Sequence, residues 1–592
     1  MSMTSCVARP LRIAIALSGG VDSAVAALLL RRCVRTNADV AALRRFGSAR
    51  AQPPALTDLQ AAVAAERSLF SMLPDTVKSE MCVSAHEHDL HNREVELYPF
   101  FLRCWHDDSA PHGWCAQSQS DYDDAQRIAH TLELLPRTAA LSVLDYAEEY
   151  AAQCFQRMLH AYAAGNTLNV DVLCNSRIKF GVVAQALKVV PTSSSSTRER
   201  ETRERPQQTL LATGHYARTW DVCSSRGSAE PRAALLLQPC SARHDLNDQT
   251  HFLSRVPPST LAGALFPIGH LFKAKADVRT LAQHVFSADD DVAHIARKRT
   301  STGICFVGAP PSPSPSAFTT HSTPPSCKAR FASFLNEFLP PPPPSLPPSS
   351  PPRHTAFREA TTNTEKMLVS GTNTFGPLKD DYPAYLPAYA VTLGQRLRLA
   401  DAHSDGTHGH LERYCYVARK RLLPASSSGE PHEVRLLEEV LVVDRWDHPL
   451  LCTSCVGAVS LRWWLPTDVL RRAAGGADGT HFALPCLCAL RHQMAPQPAV
   501  IRWARESEAE VEARRESADG LCVRSCTVHF EAPVRAPATG QALVVYASLS
   551  AVKKLLRPSA AAVQAAASMS SPAPPLAVIG SGWVAPATAD EA

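Results

Sequence analysis

Apolar and polar residues are patterned in two different ways along this chain of 592 residues. In the first 300 residues, strand-like apolar runs at 12–17 and 209–212 alternate with helical patterns at 24–32 and 121–135. Strands that alternate with helices predict a parallel sheet with helices packed on its faces. Beyond about residue 410 the pattern changes to short β-rich pieces, at 413–419, 433–443, 528–530 and 541–547. This second half is typical of a small β barrel or sandwich.

Four segments lack either pattern and are expected to be insertions rather than folded elements. They are residues 34–95, 191–208, 309–327 and 339–353. The second combines a serine run with alternating charges, and the last two are rich in proline and serine, which favours polyproline II or disorder. The five consecutive prolines from Pro340 to Pro344 fit a passive spacer better than an SH3-type ligand.

Composition is that of a globular protein with a sizeable core, with 45% apolar and 20% charged residues. We expect three domains, over residues 1–305, 306–400 and 401–592, the first carrying the inserts at 34–95 and 191–208. The formal charge is only +4, so any nucleic-acid surface must be a local patch. The 18 cysteines are scattered along the chain, which favours a reducing or organellar interior over a secreted disulfide scaffold.

No segment is typical of a secretory signal or a membrane span, because the longer uncharged stretches are broken by prolines and small residues. The leader 1–12 carries Arg9 and Arg12 and no acidic residue, a feature of organelle presequences. We therefore expect no membrane partner.

The strongest local signal is the sequence SGGVDS at 18–23, between the first strand and the first helix. Gly19 and Gly20 lack Cβ atoms, so backbone N–H groups can surround an anion there. The positive end of the following helix points at the same spot, and Ser18 and Ser23 can add hydroxyl donors. Asp22 can hold a magnesium ion or orient the loop. The Walker pattern is absent, so a phosphate site of another kind is predicted.

SGGVDS resembles the pyrophosphate loop of the ATP-pyrophosphatase superfamily. Those enzymes split ATP between its α and β phosphates and transfer AMP to an oxygen atom. The loop alone does not choose among GMP synthetases, argininosuccinate synthetases, lysidine synthetases and tRNA thiolases.

Two cysteines add a second chemical signal. Cys174 lies between polar residues just before a predicted helix, and a helix N-terminus with Arg177 and Lys179 would lower its pKa. Cys305 follows the basic run 297–299. Each cysteine alone is more often a buried structural residue. Together with the phosphate loop, the pair indicates sulfur chemistry on an adenylated substrate.

Five blocks resemble, in this order, those of the tRNA-specific 2-thiouridylases, the MnmA/TrmU family. They are LCNSRIKFG (173–181), LATGHYAR (211–218), NDQTHFL (247–253), FPIGHLFKAKADVRTLA (266–282) and STGICFVG (301–308). Four further blocks are similar: FLRCWHDD (101–108), TLGQR (392–396), GQALVVY (540–546) and VIGSGW (578–583). The resemblance implies an α/β fold: a doubly wound, parallel-sheet ATP-pyrophosphatase (PP-loop) domain, a small central domain and a C-terminal β barrel.

The resemblance also implies a reaction, that of a tRNA-uridine 2-sulfurtransferase. ATP, with Mg2+, would adenylate the C2 oxygen of the wobble uridine in a tRNA anticodon. Cys305 would carry a persulfide received from a sulfur-relay protein or a cysteine desulfurase. Cys174 would be the nucleophile that closes a transient disulfide with Cys305, and Asp171 would be a general acid or base.

Two sets of binding residues follow from the same resemblance. The ATP set is Ala16, Leu17, Ser18, Gly19, Gly20, Val21, Asp22, Ser23, Leu102 and Gly214. The tRNA set is Asn169, Val170, Asp171, His215, Asn247, Asp248, Gln249, Arg491, His492 and Gln541. The chain departs from the family in segment 167–171, which lacks both prolines of T-P-N-P-D, in 247–249, which replaces K-D-Q, and in 491–492, which replaces R-Y. These departures bear on tRNA affinity more than on the chemistry.

One other cluster has a zinc-like appearance, formed by Cys452, Cys455, Cys486 and Cys488. The second pair has a single intervening residue and an apolar context, which favours structural strand cysteines, so no metal site is predicted.

Two alternatives stay open at this point. One is another PP-loop enzyme that modifies tRNA, of the 4-thiouridine or lysidine synthetase type, and the other is a catalytically inactive tRNA-binding protein. The inserts look eukaryotic, and the family is expected in mitochondria there. A mitochondrial location is therefore predicted, with a plastid or the cytoplasm as alternatives.

Overall fold

The computed structural model describes residues 10–47, 52–81, 95–107, 114–189, 208–222, 233–238, 247–298, 331, 335, 337–339, 356–359, 366–369, 387–399, 413–422, 434–474, 481–504, 521–556, 569 and 575–586. Cys305 and the segments 191–207, 309–327 and 340–353 lie outside these described residues.

The strands, in chain order, are β1 Leu11–Ala16, β2 Val95–Arg103, β3 Ser142–Asp145, β4 Thr209–Ala212, β5 Arg218–Val222, β6 Ala233–Leu237, β7 Ala264–Leu265, β8 Ala356–Glu359, β9 Lys366–Val369, β10 Arg396–Leu399, β11 Arg413–Leu422, β12 Leu437–Val443, β13 Cys452–Trp463, β14 His481–Ala489, β15 Gln497–Ala504, β16 Cys522–Arg535, β17 Ala542–Ser548 and β18 Leu576–Ala585.

The helices are α1 Val21–Cys33, α2 Asn37–Gly47, α3 Leu56–Ala64, α4 Asp75–Met81, α5 Ala116–Thr131, α6 over 147–163, α7 over 170–186, α8 Thr250–Leu253, α9 Pro258–Ala262, α10 Pro267–Leu271, α11 Lys275–Phe286, α12 Thr467–Ala473 and α13 Leu549–Leu555. Short 3-10 turns lie at Phe70–Met72, Ala293–Arg297, Ala388–Ala390 and Pro449–Leu451. No helix among the described residues is long and apolar enough to cross a bilayer.

The first half contains a parallel five-stranded sheet in the order β3-β2-β1-β4-β7. β1 is the central strand, and Ile13 is paired with Leu97 on one side and Leu210 on the other. Nearly every residue of α1 is buried, which is expected of a helix enclosed between the sheet and other helices. The α/β class predicted from the sequence is confirmed.

The C-terminal strands form a closed barrel in the order β13-β16-β15-β14-β17-β18, and pairing of β13 with β18 closes it. β6 joins β18 at Ala577, opposite Leu237, and β5 pairs with β6. A hairpin that lies early in the chain is thereby attached to the barrel. The predicted C-terminal barrel is confirmed.

Two strands expected in that barrel lie elsewhere. β11 and β12 belong to a separate five-stranded sheet with the order β10-β11-β12-β8-β9. Their alternating pattern predicts strands correctly, but an alternating pattern carries no information about the partner strand. The domain limits themselves stay predictions.

The expectation that 34–95 is an unfolded insert is wrong for its described part. α2, α3 and α4 form there, and Val40, Leu43, Phe46 and Leu59 join the core around α1. The buried carboxylate of Asp39 accepts hydrogen bonds from backbone N–H groups on both sides, which ties the segment together. Helices of 7 to 11 residues are too short to show a clear apolar period in the sequence. Their stability comes from tertiary packing, which the local sequence does not reveal.

Candidate active site

The segment 17–20 connects β1 to α1 at the carboxyl edge of the sheet. Gly19 has a positive φ of 68°, and a Cβ atom built there would lie 2.2 Å from the backbone oxygen of Asp121. Gly20 caps α1 without a side chain, and the Ser23 hydroxyl accepts from the Ser18 N–H at 3.1 Å and donates to the Gly20 carbonyl at 3.0 Å. The loop is therefore held open at the N-terminus of a 13-residue helix, where an anion is favoured.

Asp22, in the first turn of α1, is engaged by two residues distant in sequence. The Tyr216 hydroxyl donates to one of its oxygens at 2.8 Å, and the Lys275 ammonium donates to the other at 2.9 Å. Because Lys275 already neutralises this carboxylate, the geometry favours orientation of the loop over the holding of Mg2+ by Asp22.

Lys298 fixes the loop from its other side. Its ammonium group donates to the Gly19 carbonyl at 3.1 Å, to Asp121 at 2.7 Å and to Asp124 at 2.6 Å. Burial raises the pKa of Asp124, but the hydrogen bonds from Lys298 and His294 outweigh it, so the net shift is downward. The carboxylates and the loop thus form one ionic cluster.

The other two members of the predicted ATP set lie at the same edge. Leu102 is two residues beyond Phe100, the partner of the last residue of β1. Gly214 follows β4, and a Cβ atom there would lie 2.7 Å from the Ser23 nitrogen. The structure thus brings together the residues predicted for ATP at the carboxyl ends of β1, β2 and β4, where open α/β sheets bind ligands.

Cys174 lies within α7 rather than before it, so the expected position at a helix N-terminus is wrong. Asn169 caps this helix by accepting from the Asp171 N–H at 3.0 Å, and Cys174 begins a π-helical stretch, Cys174–Val182. A hydrogen bond from the Cys104 thiol and the charge of Lys179 lower the pKa of Cys174 against its burial and the charge of Asp171. Arg177, expected to lower this pKa, acts on Cys154 instead.

Asp171 lies in the first turn of α7 and is exposed to solvent. Its surroundings raise the pKa of Asp171 by removing water from the carboxylate, while Lys179 and His492 oppose that shift. The protonated form of Asp171 is therefore more populated than that of an ordinary aspartate, which suits a group that exchanges protons.

The segment 213–216 links the phosphate loop to α7. Thr213 is hydrogen-bonded to His215 at 2.8 Å, and the His215 ring lies 5.9 Å from that of Phe180 in α7. Desolvation and the nearby charge of Lys179 lower the pKa of His215 to about 3, so this half-exposed ring is neutral. With Tyr216 bound to Asp22, the phosphate loop and the cysteine-bearing helix form one continuous site.

Gln249 connects the 247–249 loop to the same segment. Its side-chain carbonyl accepts from the Tyr216 N–H at 2.9 Å, and its own N–H donates to the Tyr216 carbonyl. Asp248 accepts from the Thr250 N–H at 2.8 Å, and the half-buried Asn247 precedes it. The loop is therefore shaped by its own polar groups.

The barrel supplies the remaining members of the predicted tRNA set. The Gln541 amide donates to the Thr167 carbonyl at 2.7 Å, which docks the barrel onto the chain just before Asn169 and Val170. The His492 ring lies 4.4 Å from that of Phe252, in α8, and its charge acts on Asp171. Arg491 does not share the contact that His492 makes with α8. Its guanidinium donates to the Arg535 carbonyl at 3.0 Å.

Three arginines from different parts of the chain lie close to one another. Arg255 donates to the carbonyl of Ser581 at 3.0 Å, and Ser581 is the register partner of Arg462 in β13. Arg177 of α7 lies close enough to interact electrostatically with both Arg255 and Arg462. Burial and these neighbours lower the pKa of Arg255 to about 10. Within the described chain, no carboxylate contributes to the electrostatics of Arg177 or Arg255.

The four cysteines with a zinc-like appearance do not converge. β13 carries Cys452 and Cys455, and two strands separate it from β14 in either direction around the barrel. The Cys486 and Cys488 sulfurs on β14 lie 3.7 Å apart in the core. Among the described residues, no group of three or more potential ligands could hold a metal ion.

Sequence reasoning missed four contributors to the site, Cys104, Tyr216, Lys275 and Lys298. All four lie in or next to segments already singled out, but their partners are distant: Lys275 is 253 residues from Asp22 and Lys298 is 279 residues from Gly19. A strand-end cysteine or a single lysine carries no local signal of such a contact. Lys298 does belong to the basic run 297–299, the one local pattern that pointed to it.

Comparison with known proteins gives a consistent result. Residues 77–309 match the family model described as tRNA methyl transferase HUP domain. A tRNA-specific 2-thiouridylase MnmA of Chlamydia pneumoniae is 25% identical over 446 residues, which cover 75% of this chain and 85% of that protein. The protein of the same name in Bacillus subtilis is 25% identical over 458 residues, or 77% of this chain and 86% of that protein.

A third relative of that name, from Bordetella parapertussis, is 32% identical over 254 residues, which cover 43% of this chain and 53% of that protein. The matched region of the family model spans the helix of Cys174, the segment 213–216 and Cys305. The site geometry and these matches agree: the chain is similar to tRNA-specific 2-thiouridylases over most of its length.

Proposed function

We propose that this protein is a tRNA-uridine 2-sulfurtransferase that uses ATP to activate the wobble uridine of a tRNA anticodon. The observation that carries the proposal is the link through segment 213–216 between an anion-binding loop and a cysteine with a lowered pKa. A nucleotide phosphate site next to a thiolate is what activation of an oxygen and its replacement by sulfur require.

The first step is adenylation. The C2 oxygen of the uridine attacks the α phosphorus of ATP, the bond to the β phosphate breaks, and pyrophosphate leaves. Segment 16–23 holds the phosphates by its N–H groups and the end of α1, while Leu102 and Gly214 border the nucleotide. Mg2+ would be held by the ATP phosphates rather than by Asp22, because the Asp22 carboxylate is already paired with Lys275.

Sulfur transfer is the second step, and it needs two electrons. Cys305 carries the persulfide, delivered by a sulfur-relay protein or a cysteine desulfurase. The Cys174 thiolate attacks the Cys305 sulfur, a Cys174–Cys305 disulfide forms, and hydrosulfide leaves. Hydrosulfide displaces AMP from C2, which gives 2-thiouridine. A cellular dithiol then reduces the disulfide and returns both cysteines to the thiol form.

Asp171 is the proton carrier in this scheme. It lies three residues before Cys174, and its raised pKa lets it take up and release a proton near the reacting uridine. In the charged form it works against the Cys174 thiolate, so a protonated Asp171 also favours the nucleophile.

The anticodon loop would bind where the barrel contacts the chain next to α7. Amides and carboxylates suit the edge of an extruded base, and arginines suit the flanking phosphates. The base-contacting set is Asn169, Val170, Asp171, His215, Asn247, Asp248, Gln249, His492 and Gln541, with Arg491 at the rim. We assign the flanking phosphates to Arg177, Arg255 and Arg462.

We further propose a mitochondrial location. The Ser/Pro-rich inserts look eukaryotic, and the family is expected in mitochondria there. A fusion of the full-length protein to a fluorescent reporter tests the location directly, since import into mitochondria is expected and a diffuse cytoplasmic signal would contradict it.

Nucleoside mass spectrometry tests the proposed reaction. Unmodified wobble-uridine tRNA is incubated with the protein, MgATP and a persulfide donor, beside the variants Cys174→Ser and Cys305→Ser. We expect a 2-thiouridine product from the unaltered protein alone, with Cys488→Ser, a buried barrel cysteine, as the matched active control. Tight tRNA binding without thiolation would contradict the proposal and favour a binding protein.

A further inference from the structure

The turn 164–169 joins α6 to α7, the helix of the proposed nucleophile. Its backbone is bound by parts of the chain that are distant in sequence. The N–H of Arg435, just before β12, donates to the carbonyl of Ala163 at the end of α6 at 2.8 Å. The Thr167 N–H donates to the carbonyl of Thr539, just before β17, at 2.8 Å. The five-stranded sheet of β8 to β12 (the central sheet) and the barrel therefore both hold the turn from which α7 starts.

Lys420, in β11 of the central sheet, binds three backbone carbonyls at once. Its ammonium group donates to the carbonyl of Gly165 at 3.2 Å, of Ala388 at 3.0 Å and of Val391 at 2.9 Å. An ammonium group has three N–H donors, so each donor has its own acceptor. One side chain thereby joins β11, the chain at 388–391 and the turn before α7, although Lys420 and Gly165 are 255 residues apart.

The backbone is shaped to allow this contact. Gly165 has a left-handed φ of 81°, and a Cβ atom built there would lie 2.9 Å from the Cβ of Ala388. Glycine lets the two segments approach closely enough for one ammonium group to reach a carbonyl of each. Ala388 and Val391 are both buried, so their carbonyls need a donor from within the protein.

The charge of Lys420 is balanced by these carbonyls rather than by an acid. Burial lowers the pKa of Lys420 to about 8, and no carboxylate among the described side chains contributes to that pKa. A desolvated charge costs free energy unless it is hydrogen-bonded, so the ammonium group is bound tightly to its three acceptors. An apolar side chain in its place would leave those acceptors without this donor.

We propose that Lys420 is a positioning residue for sulfur transfer, whose ammonium group fixes the turn 164–169 against the central sheet and so sets the place of Asp171 and Cys174. The inference rests on the proposed function, in which Asp171 carries the proton and Cys174 is the nucleophile. Asn169 belongs to this turn and caps α7 through its side chain. A displacement of the turn therefore moves the cap and the start of the helix with it, and Lys420 acts through the backbone.

The first part of the test measures the turn itself in the full-length protein. Amide hydrogen exchange over residues 163–174, followed by mass spectrometry, is compared in Lys420→Met and in Arg419→Met, the change of an exposed neighbour in β11. Lys420→Met is expected to speed exchange in the turn and the start of α7 by at least about tenfold. Arg419→Met leaves it unchanged. An unchanged exchange rate in Lys420→Met would overturn the proposal.

The second part separates positioning from a general loss of structure. With saturating tRNA, the kcat of Lys420→Met for 2-thiouridine formation is expected to fall at least roughly tenfold, because small displacements of reacting groups are costly. The Kd for ATP should stay within about twofold, since the phosphate loop is held by Lys275 and Lys298. Lys420→Arg keeps the charge and the donors and is expected to recover part of the kcat.

Equal losses of ATP affinity and of kcat would contradict the positioning role, because they would mean that the catalytic domain as a whole is damaged. Lys420→Gln keeps two N–H donors without the charge and serves where Lys420→Met does not fold. Hydrogen exchange needs neither ATP nor tRNA. A failure of the proposed function, seen as no 2-thiouridine from the unaltered protein, is thus distinguished from a failure of Lys420 to hold the turn.

Discussion

At the scale of single residues, the phosphate loop shows how far local sequence is informative. Its two adjacent glycines predict an anion loop, but only the structure distinguishes their roles. Gly19 has a left-handed backbone and abuts Asp121, whereas the nearest atom to a Cβ at Gly20 is the Ser18 hydroxyl oxygen at 3.5 Å. The difference arises because Asp121 approaches from a helix about 100 residues away, which no local pattern encodes.

This difference predicts unequal effects of two neighbouring substitutions. Gly19→Ala is expected to lower the free energy of unfolding by at least about 2 kcal/mol, from left-handed strain and the contact with Asp121. Gly20→Ala is the matched control and is expected to change it by less than about 1 kcal/mol. Urea denaturation of both variants measures this, and equal losses would refute the distinction.

At the scale of elements, the sequence predicts whether a segment is a helix or a strand better than it predicts where the element begins and what it packs against. The strand at 209–212 is found as predicted, and the helices predicted at 24–32 and 121–135 are α1 and α5. The position of Cys174 was mistaken, because Asn169 starts α7 five residues earlier by capping it through a side-chain hydrogen bond. The π-helical stretch that follows depends on tertiary packing, for which a single sequence carries no signal.

Helix α10 yields a prediction about pH. His270 is fully buried there, and neither of its ring nitrogens has a hydrogen-bond partner among the described residues. Burial, with the charges of Arg218 and Arg44, lowers the pKa of His270 to about 3. The unfolded chain takes up this proton near pH ~6.5, so between these values it binds more protons and the folded state loses stability as the pH falls.

Replacing His270 by leucine should remove that part of the pH dependence. Relative to the unaltered protein, His270→Leu is expected to gain up to about 1.4 kcal/mol of stability per pH unit below about pH 6.5. Chemical denaturation at several pH values, with the exposed His284→Leu as control, measures the change. Parallel pH profiles for all three proteins would mean that His270 is not buried in the neutral form.

At the scale of the whole molecule, the site depends on contacts between parts of the chain far apart in sequence. The resemblance implied an α/β domain and a barrel, and both are present. It gave no hint that β5 and β6 attach to the barrel or that Arg255 reaches the Ser581 carbonyl across 326 residues. Such pairings depend on where strands meet in three dimensions, which no local pattern encodes.

The neighbouring arginines Arg177, Arg255 and Arg462 predict a change in the salt dependence of tRNA binding. If each binds one phosphate, Arg177→Ala and Arg462→Ala should each weaken binding and reduce the slope of log affinity against log salt by about 1. Arg472→Ala is the control, because this exposed residue of α12 is paired with Asp468. Fluorescence anisotropy with unmodified tRNA measures both quantities, and an unchanged slope would remove these arginines from the phosphate contacts.

The most direct test of the account follows one oxygen atom. A tRNA labelled with oxygen-18 at C2 of the wobble uridine is incubated with the protein, MgATP and a persulfide donor, and the AMP released is examined by mass spectrometry. Adenylation of the C2 oxygen followed by its displacement predicts one oxygen-18 atom in each AMP, in equal amount to the 2-thiouridine formed. Unlabelled AMP, with the label kept in the tRNA, would contradict the central claim.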